Sequence, residues 1–192
     1  FFLQINGYDF ELDLIEKVLE VSGKCLVKVV IIHPQGNVSL AFYLVAKYCK
    51  NLECLVLNQC NPLDFSFRNI LKGNPNLSEL HMLDSSGLTP ALLADTQCPK
   101  LKVMSLEGNR YDDNGLVAML KASNFNLQAL SLVNCSVGHA GVAAVGDLCP
   151  QLHTLFINNR RQISNALVEL SRKCTHIRNL ELSVVPLLAG DL

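Results

Sequence analysis

The sequence predicts an α/β chain wound as a repeat solenoid, with a parallel β-sheet lining its concave surface, helices along the convex one, and about seven to eight units. Three observations predict it. An apolar pattern returns about every 25 residues; within each period the spacing switches from alternating to helical; and Cys, Asn or Pro stand at matching places in successive periods. Residues 1–192 read as a single domain of this kind, and as a fragment or one part of a longer protein.

The strands come first. A leading apolar residue recurs at Leu26, Leu52, Leu77, Leu101, Leu127, Leu152 and Ile177, in steps of 26, 25, 24, 26, 25 and 25. Three and five places after each leader stand Val29 and Ile31, Leu55 and Leu57, Leu80 and Met82, Met104 and Leu106, Leu130 and Leu132, Leu155 and Ile157, Leu180 and Leu182. Every one is apolar. Leu3 and Ile5 fit the same register one step earlier. Side chains alternate along extended backbone, so positions +3 and +5 share an inner face while +2, +4 and +6 share the opposite one.

The turn after each strand carries Cys60, Asn109 and Cys135 at +8, with Pro34, Ser85, Arg160 and Val185 departing from that choice. Helical spacing follows: Tyr111, Leu116 and Leu120; Val137, Val142 and Val145; Ile163, Leu167 and Leu170. Asp112, Ser164 and Thr89, the last followed by Pro90, are the expected N-caps. The return to the next strand has Cys49, Cys98, Cys149 and Cys174, each three residues before a leader and twice followed by Pro. These cysteines are expected to end the helices as small buried apolar groups.

The L-x-x-L-x-L heads, the Cys or Asn at +8 and the C-P-x-L returns resemble the leucine-rich repeats, in the cysteine-containing, ribonuclease-inhibitor-like and F-box subclass. The resemblance covers essentially the whole chain. It implies a right-handed horseshoe and a module that chooses a protein partner, as the repeats of F-box ubiquitin ligase subunits choose a substrate. No F-box is recognisable, because residues 9–22 offer one short helix.

Composition narrows the function classes. Apolar residues make up 49% and charged ones 17% of the chain, as in a folded body. With a formal net charge of −1 and no basic run longer than Arg160–Arg161 or Arg172–Lys173, a nucleic-acid footprint is disfavoured. No apolar stretch approaches the length of a membrane span. Cysteines placed by the repeat need no oxidation, so a reducing interior, cytoplasmic or nuclear, is expected.

Several constellations could carry chemistry, and each has a plainer account. Cys149, His153, Cys174 and His176 lie one repeat apart and have zinc-ligand types, but both cysteines occupy the return position. Asp112–Asp113 suggests a cation loop, yet helix capping explains the pair. Ser22–Gly23–Lys24 lacks the preceding glycine of a phosphate-binding loop. Sequons at Asn37, Asn76 and Asn134 are about as many as chance supplies. Glu79, His81, Ser105 and Glu107 share an outward face, as an acid, a base and a hydroxyl would in a hydrolase, although any such face displays mixed polar groups. Cys54, at an outward strand position, is the candidate reactive thiol. No cofactor, metal site or catalytic residue is assigned.

The expected binding surface is the outward face itself. Val30, Ile32, Val56, Glu79, His81, Leu83, Glu107, Val133, Phe156 and Asn158 are the candidate partner contacts, with Val30, Ile32, Val56, Leu83 and Phe156 as exposed apolar anchors. Apolar ends without a polar cap suggest self-association as well. The alternatives are a small-GTPase regulator working through Asn109, Arg110, Asn159 and Arg160, or an RNA-export type repeat domain that binds RNA with an adjoining domain.

Overall fold

A computed structural model describes residues 1–6, 11–33, 38–60, 64–85, 89, 96, 98–108, 111–122, 126–159 and 163–184. Strand and helix alternate along them: β1 (Phe2–Asn6), α1 (Leu12–Ser22) continuing into a 3-10 turn (Gly23–Cys25), β2 (Lys28–Ile32), α2 (Val38–Tyr48), β3 (Cys54–Asn58), α3 (Asp64–Gly73), β4 (Glu79–Leu83), β5 (Val103–Glu107), α4 (Asp113–Ala122), β6 (Ala129–Val133), α5 (His139–Leu148), β7 (Thr154–Asn159), α6 (Ser164–Lys173) and β8 (Asn179–Val184). The fold is α/β, with one eight-stranded, all-parallel sheet whose strands follow one another in chain order. Such a sheet is compatible with a repeat solenoid. Among the described residues no helix is long and apolar enough to cross a membrane.

The register of the sheet is the period of the sequence. Leu55 pairs with Leu80, Leu80 with Met104 and Met104 with Leu130, so each rung sets one unit's +3 residue beside the next unit's. The +3 and +5 residues of β2 to β7 are all essentially inaccessible. They share one buried cluster with helix residues such as Phe42, Val45, Phe67, Ile70, Leu116, Val142, Val145 and Leu170. Consecutive helices are neighbours: α1 lies against α2, α2 against α3, α4 against α5 and α5 against α6. In β8, Leu180 and Leu182 remain 48% and 39% exposed; the described residues place no further unit beside them.

The turn after each strand repeats a backbone device. His33, Gln59, Asp84, Gly108 and Asn134, each seven places after a leader, have positive φ between 45° and 60°. Their amides donate to the carbonyls of Asn58, Leu83, Glu107, Val133 and Asn158, each the +6 residue of the next strand. This left-handed corner suits Asn, Asp and Gly better than branched residues. At Gly108 space adds to the constraint, since a Cβ would lie 2.8 Å from Asp84 Cγ and 3.3 Å from Asp84 Cα.

One place further on, the +8 side chain ties the corner down. Cys60 Sγ sits 3.3 Å from the carbonyls of both Ile31 and Asn58, and Cys135 Sγ sits 3.2 Å from that of Leu106. Ser85, which breaks the Cys-or-Asn pattern, takes the same place with better donors and acceptors. Its hydroxyl faces Leu57 O at 3.1 Å and Leu83 O at 2.8 Å, and it accepts the Cys60 amide at 2.9 Å. Asn109, Arg160 and Val185 lie outside the described residues, as does Pro34.

The returns show what the residue three places before a leader does, a Cys in four of the seven units. Cys49, Cys98, Cys149 and Cys174 are all buried, as expected, and Cys174 is more than filler. Cys174 Sγ points at Cys149 O from 3.4 Å, so the thiol serves as a weak donor to the unit before it. The third full unit has Asn74 at this position, fully buried, and its amide does the same job more completely. Oδ1 accepts from Leu52 N at 2.8 Å, while Nδ2 donates to Cys49 O at 3.1 Å and to Ile70 O at 2.8 Å. In the first unit the position is Gly23, where a Cβ would meet Tyr48 Cβ at 2.9 Å and Tyr48 O at 3.0 Å.

The capping expectations divide. Asp112 Oδ1 accepts the Gly115 amide at 2.8 Å, the bond of an N-cap. Asp113 reaches out of its own unit to the Gly138 amide at the start of α5. The pair is therefore occupied by backbone donors. Ser164 is already helical, with Ile163 in the cap position; Pro90, after Thr89, lies outside the described residues.

Candidate functional site

The sheet face formed by +2, +4 and +6 stays apart from the buried cluster and is organised in three rows, because the strands are in register. The +4 row reads Gln4, Val30, Val56, His81, Ser105, Ser131, Phe156 and Glu181. The +2 row runs from Phe2 through Lys28, Cys54 and Glu79 to Asn179, and the +6 row from Asn6 through Ile32, Leu83, Glu107 and Val133 to Ser183. All ten residues expected to contact a partner lie on this face. Its strands carry one lysine, Lys28, against Glu79, Glu107 and Glu181, the reverse of a phosphate-binding surface.

Exposure differs from the sequence expectation. Ile32, Val56, Glu79, His81, Leu83, Glu107, Val133, Phe156 and Asn158 are half-buried, and Val30 is buried at 8% exposure. The anchors are thus not freely wetted. Neighbouring strands stand about 4.8 Å apart, so each side chain is flanked by its row neighbours; Val30 has Gln4 on one side and Val56 on the other. Where the row starts, a cavity of about 500 Å³ is lined by Phe1, Phe2, Gln4, Val27, Lys28 and Val30.

Cys54 is corrected in the same way. It is 7% exposed, and burial pushes its thiol up to about 11, opposite to what a nucleophilic cysteine needs. Burial likewise raises Cys49 and Cys60 to about 11 and Cys149 to about 12. All eight cysteines are free thiols, and Cys25 alone is exposed. An aromatic disulfide reagent at neutral pH is therefore expected to titrate one thiol per native chain rapidly, with that phase lost in Cys25→Ser and all eight thiols reacting in denaturant. Two or more fast thiols would contradict the burial described.

The structure adds Cys54 to the Glu79 and His81 pair that the sequence already placed on one face. Cys54 pairs in register with Glu79, and His81 lies two residues further along β4 on the same face. One donor atom from each of the three falls within 4.8 Å of the others, the one such group of metal-ligand type among the described residues. His81 Nε2 is 3.6 Å from Glu79 Oε2, and Nδ1 is 2.9 Å from Ser105 Oγ on β5. The signal for this was available, since Cys54 and Glu79 are the +2 residues of adjacent units. The Cys149–His153–Cys174–His176 set does not assemble in this way. His153 and His176 stack with ring centroids 6.1 Å apart, while the Cys174 thiol is turned to a backbone carbonyl. Asn109, Arg110 and Arg160, proposed for GTPase regulation, lie outside the described residues.

No model of a known protein family matches the sequence.

Proposed function

We propose that this chain is a leucine-rich-repeat solenoid, a right-handed horseshoe that recognises another protein through its +2, +4 and +6 face without catalysis, as a substrate-recognition or adaptor module. The observation that carries the reading is the in-register array on that face, with Val56 half-buried beside Val30, and Leu83, Val133 and Phe156 half-buried among polar neighbours. Eight strands about 4.8 Å apart, each about five residues long at 3.3 Å per residue, span on the order of 500 Å² in projection. That is comparable with the roughly 800 Å² of accessible surface that one side of a standard interface buries. Half-buried apolar groups suit such a use, because a partner completes a desolvation already begun.

Strands in chain order and one continuous core support the solenoid part of the reading. The acidic excess on the face favours a protein partner with some basic character over a nucleic acid. Buried free thiols suit a reducing compartment, the cytoplasm or nucleus.

The test is affinity capture with the triple variant Val56→Asp, Leu83→Asp and Phe156→Asp; Val30 is left intact because it is buried. The variant is expected to keep its circular dichroism spectrum and to lose at least 100-fold in affinity for the protein that the natural chain retains, since several desolvated anchors are removed at once. Unchanged affinity would move recognition off this face. Sedimentation of the same two proteins reads whether the chain also pairs with itself.

A further inference from the structure

We propose that Cys54, Glu79 and His81 bind one divalent cation of the zinc type, held across β3 and β4 on the open face. The donors are a thiol, a carboxylate and an imidazole, the set that a borderline-soft cation takes in preference to calcium or magnesium, which choose oxygen alone. Their atoms already lie within 4.8 Å of one another. Ligand atoms around a tetrahedral zinc stand roughly 3.3 to 3.8 Å apart, as bond lengths of about 2.0 to 2.3 Å require. Small side-chain rotations close that gap, and the His81 to Glu79 distance of 3.6 Å needs none.

Two further features fit a ligand set. Ser105 Oγ lies 2.9 Å from His81 Nδ1; with Nδ1–H donating to that oxygen, Nε2 is left as the acceptor, 3.6 Å from Glu79 Oε2. A partner on the second ring nitrogen is what orients metal-bound histidines. Lys28 stands in register with Cys54 on its other side, a cation that opposes in part the burial and the Glu79 carboxylate that together hold the thiol above its ordinary value. Binding replaces the Cys54 proton, which passes to solvent. Thiolate and carboxylate together then balance the two charges of the ion, and neutral His81 completes three protein ligands with a fourth position open to water.

The site goes beyond the partner-binding reading and does not depend on it, so its test uses no partner. Untagged protein, reduced and freed of metal, is titrated with Co²⁺ as a spectroscopic probe and then with Zn²⁺. One equivalent of Co²⁺ is expected to bind with a thiolate-to-cobalt charge-transfer band and the intense visible bands of a four-coordinate ion, and Zn²⁺ should bleach both. Cys54→Ser should abolish the charge-transfer band, His81→Gln should weaken binding at least tenfold, and Ser105→Ala should weaken it about tenfold by releasing the imidazole. Cys25→Ser, which removes the exposed thiol, should change nothing. Absence of the band from the natural chain would overturn the site. So would a band that survives Cys54→Ser and disappears with Cys25→Ser.

Discussion

Alanine at position 74 is expected to lower the unfolding free energy by roughly 3 to 6 kcal/mol, the largest loss from any single polar side chain among the described residues. Asn74 is fully buried, and its carboxamide pairs three backbone groups, Leu52 N, Cys49 O and Ile70 O. Truncation leaves all three without a partner, each at a cost of about 1 to 3 kcal/mol when buried away from water. At about 2 to 4 °C per kcal/mol for a chain of this size, the midpoint of thermal denaturation should fall on the order of 10 °C. Cysteine is the informative second variant. Its thiol can face Cys49 O as Cys174 faces Cys149 O, so Asn74→Cys should be milder than Asn74→Ala. An alanine variant within about 1 kcal/mol of the natural chain would show that the three groups find other partners.

Two phenylalanines in α3 should give opposite results. Phe67 is completely buried among the largest core side chains, while Phe65, two residues earlier, is 70% exposed. Phe67→Ala removes most of a ring from a close-packed interior and leaves a cavity, a change that costs about 3 to 5 kcal/mol. Phe65→Ala should stay within about 0.5 kcal/mol. Denaturant unfolding followed by circular dichroism measures both, and equal losses would mean that α3 is rotated from the orientation described.

The strands were legible in the sequence because each obeys the same local rule. Seven leaders with apolar residues at +3 and +5 gave the register that the sheet adopts, down to Leu55 beside Leu80 and Leu80 beside Met104. The buried helix faces were legible for the same reason, as with Val142 and Val145. What escaped was chemistry that acts between units. Asn74 sits at a position read as apolar filler, and nothing within its own 25 residues marks the three backbone groups it serves. Ser85 looked like a departure from the turn pattern, although a hydroxyl meets the same carbonyls as a thiol.

The candidate site was legible in part. Alternation placed all ten candidate contact residues on one sheet face, as the structure has them, but it treats each strand as if it stood alone. Lateral packing along a row buries Val30 and Cys54, and a pattern read along one strand carries no information about its neighbours' width. The Cys54, Glu79 and His81 group escaped for a related reason. Glu79 and His81 read together with Ser105 and Glu107 of the next unit, while Cys54 reads alone as a thiol, and the rung that pairs Cys54 with Glu79 joins it to them.

The corner amides reach one rung forward, the Ser85 and Asn74 side chains one rung back, and the strand ladder no further in either direction. Cohesion in such an array is passed hand to hand, with no keystone whose loss brings down every part together. The loss at Asn74 is therefore expected to weigh most on the seam between the units before and after it.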